Sequence, residues 1–313
     1  MYGYVIRRLL ATIPVMCVVG IVVFLLLHLT PGDPATVIAG DYARPEDIAR
    51  IRAALGLDQP LHIQFFTWAG AVLQGDLGIS IFSNLPVSKL IVQRLEPTIA
   101  LSISTMIFAI LVAVPMGIIA AWSAGTWIDR LVMLFAVLGF SVPVFVIGYV
   151  FMYLFALKLG WFPVQGYKSI GEGFWPFLQS IVLPTVALGV VYTALIARIT
   201  RASVLEVLSE DYIRTAKAKG LDNTGLLRRH ALKNAAIPIV TIIGIGVALL
   251  IGGVVVTESV FNIPGLGRLT IDAVLRRDYP IIQGVILVFS GVYVFVNLAI
   301  DLSYTFLDPR IRY

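Results

Sequence analysis

Cysteine, histidine and charge are all scarce in this chain. A single cysteine, Cys17, stands among 313 residues, so there is neither a disulfide framework nor a thiolate metal site. The three histidines, His28, His62 and His230, are far apart and form no metal-ligand spacing. Nowhere does G-x-x-x-x-G-K run into Ser or Thr, which excludes a phosphate loop for nucleotide. Intramembrane proteolysis also lacks its groups. Asp301 is the one aspartate read inside an apolar span, and Ser290 could only partner His28, at the end of the first. Proton-driven transport usually needs several ionisable groups within the spans, and these spans carry almost none. Energy for any transport must therefore enter from a partner.

What the chain does have is apolar sequence: 59% of its residues are hydrophobic and only 13% charged. That composition defines a polytopic, all-α membrane protein. A β-barrel is excluded because the apolar segments are continuous runs, not alternating strands. Six runs are long enough to cross a bilayer: about 9–29, 98–122, 131–157, 178–197, 237–257 and 281–307. The first follows Arg7 and Arg8, is too long for a signal peptide and lacks a small-residue cleavage site, so an uncleaved span is expected. Pro115 and Gly117 are expected to interrupt the second run, and Gly139, Pro143 and Gly148 the third. Gly244, Gly246, Gly252 and Gly253 fall in the fifth. Such residues serve either close helix packing or the bending of a gate. Asn297 and Asp301 form a polar pair at i and i+4 on the last span, suited to packing or to transport.

Basic residues set the orientation. The connection between the fourth and fifth spans carries Arg198, Arg201, Arg214, Lys217, Lys219, Arg228, Arg229 and Lys233. The opposite face has Lys158 and Lys168 in one short loop and Arg268, Arg276 and Arg277 in the other. By the positive-inside rule the basic connection is cytoplasmic, and both termini, with Arg7, Arg8, Arg310 and Arg312, lie with it. The net charge of +5 is accounted for by this bias, without nucleic acid as a partner. Residues 30–96 then lie outside. Pro45 opens one helix there, with Ile48, Ile51 and Leu55 on a face that ends at Gly56. Leu61, Phe65, Trp68 and Val72 mark a second, before the Gly75–Gly78 turn. These pieces fit an external platform or a position along the outer leaflet.

The most informative stretch runs from Ser209 to Pro238. Ser209 can cap a helix with Glu210 and Asp211 in its first turn and Lys217 and Lys219 in its last, while Gly220 supplies the left-handed stop. A second helix restarts at Asn223 or Thr224 and presents Leu227, His230, Ala231 and Asn234, before Pro238 opens the fifth span. Two readings stay open for this helix–Gly–helix element. It is a docking handle for another protein, or a solvated amphipathic loop on lipid headgroups.

Several separated motifs in order then resemble a known family. They are YVIRRLLATIPV with HLTPGDPA near the start, GDLGIS at Gly75–Ser80, SEDYIRTAKAKGL, RHALKNAAIP, VFNIPGLGRL from Val260, RDYPIIQG from Arg277, and the closing DPRIR. Over essentially its whole length the chain resembles inner-membrane permease subunits of bacterial binding-protein-dependent ABC importers, in the dipeptide, oligopeptide and nickel branch that includes glutathione permeases. The family's cytoplasmic signature is Glu-Ala-Ala with a glycine shortly after. Aligned on Gly220, those positions hold Arg214, Thr215 and Ala216, so the acidic residue and the first alanine are absent. The following Ile-x-Leu-Pro stands as His230-Ala231-Leu232-Lys233, with the proline delayed to Pro238.

The resemblance implies a type I importer permease (MetI-like) core over 97–307 with its cytoplasmic coupling loop at 198–236. An extra N-terminal span and external helical segment would occupy 1–96, and 308–313 would form a cytoplasmic tail. It implies a non-enzymatic translocation subunit for di- or oligopeptides or a peptide-like solute such as glutathione. Partners would be a second homologous permease, two ATP-binding subunits holding ATP and Mg, a periplasmic or lipid-anchored solute-binding protein, and membrane lipid. No cofactor is expected in this chain. ATPase coupling would fall to Tyr212, Arg214, Thr215, Ala216, Lys217, Ala218, Lys219, Gly220, Leu221, Arg228 and His230. Asn262, Pro264, Gly265, Leu266 and Gly267 would form an outer gate or a binding-protein contact, or else an ordinary tight turn. Nickel or another solute, and a membrane scaffold or sensor that moves nothing, are the alternative functions.

Overall fold

The computed structural model describes residues 2–29, 33–39, 44–54, 56–227 and 231–307. Arg228, His230, Leu55 and the 308–313 tail therefore lie outside the described residues. In chain order the helices are α1 (Tyr2–Leu29), α2 (Pro34–Ala39), α3 (Pro45–Ala54), α4 (Leu61–Leu73), α5 (Val87–Trp122), α6 (Trp127–Ser141) and α7 (Val144–Phe151), which continues as a π-helical turn over Met152–Lys158. A short 3₁₀ turn at Ile170–Glu172 leads into α8 (Phe174–Leu208), α9 (Asp211–Ala218), α10 (Asn223–Leu226), α11 (Leu232–Val260), α12 (Leu266–Arg276) and α13 (Tyr279–Leu307). Among the described residues there is no strand, only an isolated bridge between Ile79 and Pro86. The all-α polytopic fold read from composition is the fold observed.

Among the described residues, five helices are long and apolar enough to cross a membrane, and six if α6 and α7 count as one bent span. The bend is 102° and falls at Val142-Pro143. A residue before proline is pushed out of the α region by the ring, and Val142 accordingly sits in extended backbone at φ −89°, ψ 124°. The expected interruption of the third span is thus a true break. The expected interruption of the second is not, because α5 runs unbroken through Pro97 and Pro115. Neighbouring helices and local backbone adjustment accommodate a proline in a membrane helix. Pro238 likewise stands inside α11 and does not open it.

The chain divides into two compact units. Among the described residues the larger comprises 97–267 and 295–307. Its centre is α8, which packs against α6, α7 and α11; 72% of its most apolar stretch is buried, against 33% for α5 and 28% for α11. Leu101, Ile147, Leu188, Tyr192, Ile196 and Val254 form the main core. Close approach is bought with small residues, as at Gly117, where a Cβ would lie 2.6 Å from the Thr200 side chain and 2.7 Å from a backbone oxygen of α8. The fourth span is longer than its apolar run suggests. It extends to Leu208 because Thr200, Ser203 and Val204 remain buried beyond Ala197. Arg201, counted above with a loop, is therefore helical, and it forms a bidentate ion pair with Asp129 of α6 at 2.5 and 2.7 Å. Asp129 also accepts from the Gly125 amide. It is a buried acid in a span that the sequence reading passed over.

The second unit comprises 2–96 and 268–294. Its two expected external helices are present as α3 and α4, closed by left-handed glycines at Gly56 and at Gly75 and Gly78. Two of the separated motifs meet here. Ser80 of GDLGIS donates a 2.6 Å hydrogen bond to Asp278 of RDYPIIQG, and the Ile81 amide donates to the other carboxylate oxygen. Both side chains are buried.

Candidate functional site

Between α8 and α11 the chain forms the helix–Gly–helix element with one register change. Ser209 closes α8: its amide bonds Leu205 and Glu206, and its hydroxyl donates to the Glu206 carbonyl. It does not cap α9, whose first residue outside the helix is Glu210, extended and without a side-chain cap. The cause is the extra length of α8, which consumes the residue that sequence alone assigns to the next helix. α9 then has eight residues, with Asp211 in its first turn and Lys217 in its last, an order that suits the helix dipole.

The C-terminus of α9 follows the expectation closely. Gly220 has φ +88°; its amide donates to Lys217 O at 3.0 Å, and the Leu221 amide donates to Ala216 O at 3.3 Å. These paired bonds define a Schellman stop, in which a left-handed residue spares the last carbonyls from going unsatisfied. Asp222 then caps α10 by accepting from the Gly225 amide. The second helix begins at Asn223, as expected, with Asp222 just ahead of it as the cap.

α9 has an inward and an outward face. Ile213 is buried and Ala216 half-buried, while Arg214, Thr215, Lys217, Ala218, Lys219 and Gly220 are exposed. Asp211 and Arg214 make only an exposed 3.4 Å ion pair, a contact of small energetic weight. Beyond the buried Ile213, further attachments among the described residues fix the element. Asn234 of α11 donates to the Tyr212 hydroxyl at 2.6 Å, Leu226 is buried, and Leu227 packs against a small core of Ala121, Val204, Ala235 and Ile239. Of the candidate coupling residues, those from Tyr212 to Leu221 are brought together here.

The loop after α11 also forms a defined structure. Asn262 takes left-handed backbone at φ +55°, and the Ile263 amide donates back to Glu258 O at 2.8 Å. Asn262 and Pro264 point outward; Gly265, Leu266 and Gly267 are buried. Leu266 and Gly267 open α12, so this segment is a helix start and not a plain turn.

Behind it lies Glu258, fully buried, which accepts a 2.5 Å hydrogen bond from the Thr98 hydroxyl of α5. That hydroxyl in turn accepts from the Leu266 amide at 2.8 Å. A Cβ at Gly265 would sit 2.1 Å from a Glu258 carboxylate oxygen, and one at Gly267 would sit 2.4 Å from Val255 Cα. The two glycines make room for the carboxylate and for α11. Sequence reasoning missed the pair because it ended the fifth span at Thr257, one residue before Glu258, and read Thr98 only as the start of the second span. The available signal was a lone acid in the last turn of an apolar helix, followed by two closely spaced glycines.

Comparison with known proteins places this long apolar bundle with its outward helical handle. The chain belongs to the family of binding-protein-dependent transport system inner membrane components. That family matches residues 113–313, and its N-terminal component matches 1–102. It is 57% identical, over 99% of both chains, to the probable peptide ABC transporter permease protein y4tP of Sinorhizobium fredii. It is 47% identical over the full length of both chains to the glutathione transport system permease protein GsiC of Salmonella typhimurium. Among solved structures, an inward-facing MetNI methionine ABC transporter superimposes with TM-score 0.58 at 18% identity, covering 70% of this chain and 96% of that one; this likeness bears on fold alone. The protein is thus a multi-pass inner-membrane permease subunit. It works with solute-binding and ATP-binding components and is not itself an enzyme.

Proposed function

We propose that this permease imports short peptides or a peptide-like solute such as glutathione, with ATP hydrolysis coupled to the pathway through α9. The observation that carries the coupling is the geometry of the handle. An exposed helix, stopped by a left-handed glycine, is bonded through Tyr212 to the first turn of a membrane-spanning helix. A short helix held in this way moves as a packed body, so displacement at one end is transmitted to α11. Arg214, Thr215, Lys217, Ala218 and Lys219 face the ATP-binding subunit, which holds ATP and Mg. A second homologous permease closes the pathway, and the Asn262–Gly267 segment meets the solute-binding protein or gates the outer end.

Both termini and α9 are on the cytoplasmic side in this reading. The names of the relatives, peptide permease and glutathione permease, support the solute class.

Uptake by the complete importer, reconstituted with its binding protein, tests the proposal. Labelled dipeptide and glutathione should compete for ATP-dependent uptake, while nickel should not. Uptake of nickel with neither peptide competing would overturn the solute class. Alkaline phosphatase fused after Gly220 should stay inactive in cells, and strong activity would reverse the orientation.

A further inference from the structure

The segment between α1 and α5 contains two helices of opposite character. α3 carries Glu46, Asp47, Arg50 and Arg52 in ten residues, and Arg52 reaches Asp33 at 2.6 Å. α4 has no charged residue among its thirteen, LHIQFFTWAGAVL. One side of α4 packs on α1: Phe65 and Trp68 meet Phe24 with ring centroids 5.4 and 5.7 Å apart, and Gln64 hydrogen-bonds His28 at 3.0 Å. The other side, apart from His62 and Thr67 at its margins, is apolar as well and stands bare. Ile63, Phe66 and Leu73, at helical spacing with Gly70 between them, are 41%, 70% and 88% exposed. A helix apolar on both sides does not face water on either of them.

The contact with Phe24 gives the depth. Phe24 lies inside the membrane span Ile6–Leu29, five residues before its end, or about 7 Å along the axis. A span of 24 residues measures about 36 Å against a hydrocarbon core of about 30 Å, so its ends overhang by only about 3 Å. The rings of α4 that touch Phe24 are therefore below the hydrocarbon boundary. Near that level α1 itself leaves Ile21 and Val22 bare, as a lipid-facing span does.

We infer that α4 is an interfacial helix embedded in one leaflet beside α1, with Ile63, Phe66 and Leu73 in contact with acyl chains and α3 left in water. This adds an amphiphile-binding face to the permease and makes the segment a membrane anchor, not a free platform for the solute-binding protein. The inference rests on the chain crossing a membrane and is independent of the solute proposed above.

Spin labels in the full importer, reconstituted in phosphatidylethanolamine–phosphatidylglycerol vesicles, test it. In a Cys17→Ser background, single cysteines replace Phe66 or Leu73, with Val18→Cys as the lipid reference and Arg50→Cys as the water reference. Collision with oxygen should dominate at positions 66 and 73 as it does at 18, and collision with a water-soluble nickel chelate should dominate at 50. Nickel-dominated labels at 66 and 73 would make α4 a water-facing platform and overturn the inference. Labels shielded from both reagents would place a protein partner on this face and overturn it equally.

Discussion

Asn234, in the first turn of α11, donates a 2.6 Å hydrogen bond to the Tyr212 hydroxyl on α9, joining residues 22 apart in the chain. Through this bond the exposed helix is fastened to a membrane span and not merely tethered by its loop. Tyr212→Phe removes the acceptor and Asn234→Ala the donor. Each should cost about 1 kcal/mol of anchoring, a factor of roughly five. Uptake and transport-stimulated ATP hydrolysis should fall together, with normal amounts of complex in the membrane. The double variant should be no worse than either single one, because both act on one bond. Unchanged coupling in both single variants would leave the anchoring to buried apolar residues such as Ile213, Leu226 and Leu227.

The Glu258 carboxylate and the Gly265 backbone occupy complementary space, since a methyl at Gly265 would lie 2.1 Å from the carboxylate. Gly265→Ala should therefore overpack the site, at a cost of about 1–3 kcal/mol, and lower uptake. In a Glu258→Ala background the same methyl should be tolerated, because the atom it strikes is gone. Thermal unfolding of the purified complex and uptake in vesicles both report on this cycle. Purely additive losses would show that the two residues do not share the space.

Most of the architecture is legible in the sequence because apolar runs, prolines and left-handed glycines are local signals. The break before Pro143 and the stop at Gly220 each need only a residue and its neighbours. What is not legible depends on partners distant in sequence. Ser209 looks like a helix cap until α8 is seen to continue, and α8 continues because Ser203 and Val204 are buried in the helix bundle. Arg201 reads as a loop cation until Asp129, 72 residues earlier, is found against it. Glu258 is hidden for the same reason, its partner Thr98 being 160 residues away. Polar residues at the ends of spans are the least readable class, because hydropathy treats them as boundaries whether or not they are buried.

The Asp129–Arg201 pair gives a test of that kind of burial. The side chains are 6% and 25% exposed, so removing one partner leaves a charge that water reaches poorly. Asp129→Asn or Arg201→Met should each destabilise the fold by about 3 kcal/mol, the low end for a buried pair. The combined replacement should cost less than either, since no charge is then stranded. Yield and melting temperature of the purified complex decide this. A double variant worse than both singles would mean the pair contributes more than mutual neutralisation.

Gly220 carries the sharpest prediction for the proposed coupling. Its φ of +88° belongs to backbone that a β-branched residue avoids, so Gly220→Val should incur about 1–2 kcal/mol of strain. A Cβ there meets nothing within 4 Å, so the penalty is one of backbone conformation and not of collision. Relief comes from unwinding the Schellman turn, which re-aims α9 relative to α10 and α11. The membrane spans do not depend on that turn, and the variant should insert and accumulate as the wild type does. ATP-dependent uptake and transport-stimulated ATPase activity should be lost together, whereas Gly220→Asn, which tolerates the left-handed region, should retain most of both. If Gly220→Val accumulates normally and still couples hydrolysis to uptake, the angle of α9 does not matter and the helix is not the lever.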